Sequence, residues 1–122
     1  GNITTSLATN YTGTISAGGA FSFQAGSGAI FAGTTVIPLN TWTHVALTRA
    51  SGVIKSFING IVDANLSNSS NFSTTTSFAI GSPGTIAGLQ GFSGKIDEFR
   101  VTNGFARYTS SFNVATAAFS NS

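Results

Sequence analysis

Asn59-Gly60, standing between the arms 53–58 and 61–66, constrains the fold of this chain more than any other pair of residues. Both arms carry many β-branched side chains, and Asn-Gly between such arms takes up the positive φ angles of a type I′ turn. The pair therefore predicts a two-residue hairpin. On its first arm Ile54, Ser56 and Ile58 share one face and Val53, Lys55 and Phe57 share the other, the alternation of a strand.

The same period runs through the chain. Short alternating runs recur between clusters of Gly, Asn and Ser, and no longer window keeps its apolar side chains at helical spacing. Phe21 and Phe23 fall on one face of a strand at 20–25. In 42–50, Trp42, His44 and Ala46 oppose Val45 and Leu47, and apolar residues on both faces predict an inner strand, central in its sheet, with Trp42 in the core. Residues 67–77 read as a polar loop before a strand in which Phe78 and Ile80 point the same way. Residues 83–91 read as a connection punctuated by Gly, and the first nineteen residues as loop and short strand.

A chain of 122 residues is expected to form one domain, 1–122. Only 7% of it is charged, against about 25% in an average soluble domain, so the surface must be built from the hydroxyls and amides of Ser, Thr and Asn. A net charge of +2 makes no basic stripe, which argues against a nucleic-acid partner. No apolar run reaches the about eighteen residues of a membrane helix, so no membrane insertion is expected. The absence of Cys removes disulfides, thiolate chemistry and Cys-based zinc sites. The start at Gly1 and the lack of Met suggest a processed product or a segment of something longer. With little charge to keep copies apart, the chain is expected to pack against other chains as a homo-oligomer. Asn-x-Ser/Thr sequons begin at Asn2, Asn10, Asn65, Asn68 and Asn71, and in so Ser- and Thr-rich a chain they read as chance matches.

Most of the charge is gathered in one place: Lys95, Asp97, Glu98, Arg100 and Arg107. The run 95–101 does not alternate cleanly, because Phe99 and Val101 share a face that Ile96 misses. A bulge or bend at Asp97-Glu98 would re-aim the side chains. A carboxylate there can reach Arg100, Arg107 or a backbone amide, and the cluster reads as an internal brace. As a catalytic pair it fails, since a retaining glycosidase holds two carboxyls about 5 Å apart across the sugar, whereas neighbours on a strand point to opposite faces. Asp63 is the one other carboxylate. His44, the only His, reads as a hydrogen-bonded structural residue rather than a general base. It cannot make a zinc site unaided. No cofactor is expected; calcium has Asp63, Asn side chains and backbone carbonyls to draw on but no dedicated loop. Trp42, Tyr11 and Tyr108 are the candidates for stacking on a sugar.

The runs 39–63 and 91–109 together resemble the laminin G-like, concanavalin A-like lectin domains. In that family a Trp-x-His-Val-Ala strand precedes a hairpin ending in Asn-Gly, and a Gly-x-Ile-Asp-Glu/Asp-apolar-Arg-apolar strand follows. Trp42, His44, Val45, Ala46, Asn59 and Gly60 match the first part. Gly94, Ile96, Asp97, Glu98, Phe99, Arg100 and Val101 match the second. The resemblance covers about residues 20 to 119 and implies an antiparallel β-sandwich of jelly-roll type, with N-terminal strands of the family missing. The family's calcium sites are not carried over, and the Glu-x-Asp-x-x-Glu of its glucanases is absent. The ending from Gly104 through Arg107 and Tyr108 to Phe112 is similar to structural proteins of tailed bacteriophages. That implies a non-enzymatic virion component of capsid, tail or fibre, in contact with other virion proteins. The alternative is a carbohydrate-binding module for cell-surface glycans, in a virion or a secreted protein.

Overall fold

The computed structural model describes residues 5–8, 11–15, 18–25, 28–69, 79–81 and 92–117. They form an all-β, antiparallel sandwich. The strands are β1 (Thr5–Ala8), β2 (Tyr11–Ile15), β3 (Ala20–Ala25), β4 (Gly28–Val36), β5 (Val45–Ala50), β6 (Val53–Ile58), β7 (Ile61–Ser67) and β8 (Ala79–Ile80). One sheet has the order β4-β3-β2-β1-β8 and the other the order β5-β6-β7.

Alternation decides what lies between the sheets. Ile15 pairs with Phe21 across β2 and β3, and Val45 pairs with Ile58 across β5 and β6. Ile15, Phe21 and Ile58 are buried together, with Ile37, Val45 and Leu47 packed against them. Removing such side chains from water is the main force closing the sandwich, roughly 1.5–3 kcal/mol for each fully buried aliphatic or aromatic residue. Ser22 on the opposite face of β3 is also buried, and its hydroxyl lies 2.8 Å from that of Thr14.

The hairpin at Asn59-Gly60 is present, with φ of 50° and 81° at its two central residues. Ser51-Gly52 makes the same kind of turn between β5 and β6, with φ of 49° and 73°. Its Ser-Gly pair is a weaker turn signal than Asn-Gly and was not read as a hairpin from the sequence.

Several expectations are corrected. β5 is not central: β6 is the middle strand, and β5 lies at an edge among the described residues. The strand begins at Val45, which leaves Trp42 outside it and 68% exposed rather than in the core. The apolar residues on both faces of β5 have another cause, since its outer face is covered by the C-terminal segment described below. Residues 95–101 do not form a strand. Glu98 has a φ of 52° and its amide donates to Asp97 Oδ1 at 2.8 Å, a local bond that competes with a ladder. The bend expected there is real, but it ends regular structure, and Ile96, Phe99 and Val101 are exposed. The readings of Phe78, of 83–91 and of the sequons at Asn2, Asn10 and Asn71 lie outside the described residues, and of Tyr11 only the backbone in β2 is described.

Candidate functional site

The outer face of the three-stranded sheet carries the densest set of distinctive side chains. The pairing of β5 with β6 places Ala46 beside Phe57, Thr48 beside Lys55 and Ala50 beside Val53, all on this face. Residues 108–112 lie across the first of these rungs. Tyr108 and Phe112 stack with ring centroids 3.6 Å apart and planes 7° apart. Phe57 and His44 meet this stack edge-on, at 5.4 Å and 5.5 Å from Phe112 respectively. Edge-to-face rings of this kind add roughly 0.5–1.5 kcal/mol beyond their buried area.

Hydrogen bonds to backbone carbonyls hold the segment in place. Lys55 Nζ donates to the Thr109 carbonyl at 2.7 Å, and the Phe112 amide donates to the Gly60 carbonyl at 2.8 Å. His44 and Asn59 are locked to each other: the His44 amide donates to Asn59 Oδ1 at 2.9 Å, and the Asn59 amide donates to the His44 carbonyl at 2.8 Å. His44, Asn59, Gly60 and Tyr108 thus meet in one place. The His44 ring is not held by hydrogen bonding at Nδ1, which is buried without a partner. Aromatic edges surround it, and burial lowers its pKa, so the ring is neutral at pH 7.

Two members of the charge cluster make contacts close to them in sequence. Arg107 Nε donates to Thr102 Oγ1 at 2.7 Å, and its guanidinium sits 5.3 Å from the centre of the Phe105 ring. Asp97 and Glu98 form the bend already described, and Arg100 is half-buried near it.

The carboxylate that ties distant parts together is Asp63. Ser56 pairs with Ala64 and Phe57 with Val62, so Asp63 is an extra residue on β7. Across the sandwich Ser22 pairs with Ala32 and Ala20 with Val36, which leaves Gly33, Thr34 and Thr35 opposite Phe21 alone. Bulges free ladder groups and re-aim side chains. Here Asp63 Oδ1 accepts from the Thr34 and Thr35 amides at 3.2 Å and 2.8 Å. Its Oδ2 is buried against Gly33, where a Cβ would collide with it. In the sequence Asp63 stands only as a spare carboxylate or a calcium ligand, because the extra residue leaves the alternation of β7 looking regular.

The rungs Thr48/Lys55 and Ala50/Val53 extend past the aromatic stack and floor an open hollow of about 310 Å³, walled by Tyr108 and Thr109. Among the described residues, no three His, Cys, Asp or Glu side chains converge to hold a metal ion.

A laminin G-type family, described as the concanavalin A-like lectin/glucanases superfamily, matches residues 2–107. The chain belongs to this superfamily. No curated protein and no solved structure is significantly similar to it. The match takes in β1 and β2, so the laminin G-like domain reaches further towards the N-terminus than the resemblance read from the motifs, which covers about residues 20 to 119. The first nineteen residues, read as loop and short strand, hold both of these strands. Trp42, His44, Asn59, Gly60, Asp97, Glu98, Arg100 and Arg107 fall inside the match, while Tyr108 and Phe112, which cover the outer face, lie just beyond it.

Proposed function

We propose that this laminin G-like domain is a non-enzymatic structural component of a tailed-bacteriophage virion, a capsid decoration, tail or fibre element that packs against copies of itself and other virion proteins. The observation that carries the reading is the pairing of a nearly uncharged surface with large apolar side chains in solvent. Leu39 is 81% exposed, Trp42 68% and Ile61 67%. The bonds between His44 and Asn59 tie the connection bearing Leu39 and Trp42 to the turn that precedes Ile61. Large apolar side chains exposed on linked segments in this way suit an interaction surface. The three carboxylates support a non-catalytic role: Asp63 is turned into the sandwich, and Asp97 and Glu98 are neighbours in an irregular bend. Light scattering on the purified chain tests the reading, with a multimer expected and a monomer at high micromolar concentration speaking against it.

The hollow beside Tyr108 supports a second reading, a module that attaches to cell-surface glycans. A concave site with an apolar floor and a few convergent polar groups is the usual form of a small-ligand site. A glycan array tests it, and silence across neutral and acidic glycans would remove it.

A further inference from the structure

The aromatic stack covers one end of the outer face and stops there. Beyond it, towards the Ser51-Gly52 turn, the hollow of about 310 Å³ lies at the lower end of the range for small-ligand sites, enough for a single ring rather than a long chain. We propose that this hollow binds one acidic sugar residue, a pyranose ring bearing a carboxylate. The proposal rests on the glycan-binding reading and gives it a ligand class and a place.

Three features of the lining argue for this chemistry. Among the described residues that line it, Lys55 is the only charged one. Its ammonium has three donors, and one is committed to the Thr109 carbonyl at 2.7 Å. That bond orients the charge, and the two remaining donors suit a carboxylate. The floor beside Lys55 is apolar, made by Ala50 and Val53, and the wall is Tyr108, which is stacked on Phe112. A pyranose presents a C–H face to such a surface, which an inorganic anion does not. Hydroxyls of Thr48, Ser51 and Thr109 at the margin can exchange hydrogen bonds with ring hydroxyls. A neutral sugar would leave the Lys55 charge unanswered.

The experiment is a two-dimensional amide NMR titration of the full chain with glucuronic acid, glucose and sodium sulfate at constant ionic strength. Glucuronate is expected to shift the amides of 48–55 and 108–109 saturably, with a Kd of roughly 1–10 mM, and glucose to bind at least about ten-fold more weakly. Sulfate is expected to give no saturable change. Equal affinity for glucose, shifts reproduced by sulfate, or no saturable shift at these amides would each overturn the proposal. Shifts mapping elsewhere, such as around Trp42, would overturn the hollow and leave glycan binding standing, whereas no shifts together with a silent glycan array would remove both. Two variants sharpen the test. Lys55→Gln keeps a donor for the Thr109 carbonyl and is expected to reduce glucuronate binding to the level of glucose. Ala50→Phe fills the hollow and is expected to abolish binding with the melting temperature unchanged; retained affinity in either variant would contradict the assignment.

Discussion

A methyl group at Gly60 has nowhere to go. Its Cβ would fall on the Phe112 carbonyl oxygen, and its φ of 81° is disfavoured for any residue with a side chain. Gly60→Ala is expected to destabilise the fold by about 2 kcal/mol or more, read from the denaturant midpoint. An unchanged midpoint would contradict both the turn and the seating of residues 108–112 against it. His44 makes a prediction about pH. Because burial holds its pKa below the unfolded value of about 6.5, the unfolded chain binds the proton more readily than the folded one. The stability its neutral ring provides is complete above pH 6.5 and is lost as pH falls towards the lower folded value. The denaturant midpoint should drop between pH 7.5 and pH 5.5, above the range where carboxylates titrate. His44→Phe, which keeps a ring against Tyr108 and Phe112, should flatten that drop.

β4 and β7 belong to different sheets, yet each bulges where the other needs it. Asp63→Ala leaves the Thr34 and Thr35 amides without their acceptor and is expected to cost about 1–3 kcal/mol. Asp63→Asn retains a carbonyl oxygen there and should cost less. Gly33→Ala drives a Cβ into the same carboxylate, so it should be less damaging in an Asp63→Ala background than alone. Strict additivity of the two would show that the bulges do not act on each other. This brace was not legible in the sequence, because a register shift depends on the partner strand and leaves no mark on the alternation of its own. The Asn59-Gly60 hairpin was legible, since a type I′ turn is chosen by the two residues that make it. The run 95–101 misled for the opposite reason: its apolar positions suit a strand, but the Asp97 side chain satisfies the next amide locally and the chain bends.

At the level of the whole molecule, the all-β class and the pairing of Phe21 and Phe23 with the interior followed from alternation alone. The covering of the outer face did not. Tyr108 and Phe112 stood out in the sequence, but their seat over Phe57 and His44 joins residues about fifty to seventy positions apart, and local patterns carry no such information. Trp42 was misplaced in the same way: its strand starts three residues later, and the side chain is exposed, as is that of Leu39. Exposed Leu39, Trp42 and Ile61 and the scarcity of charge together favour association with other chains. It is tested most directly by light scattering on the wild-type chain beside a Leu39→Ser/Trp42→Ser variant. The wild-type mass is expected to be two or more times 12.4 kDa, and the variant is expected to fall to the monomer with an unchanged melting temperature. A wild-type monomer, or a multimer indifferent to both substitutions, would contradict it.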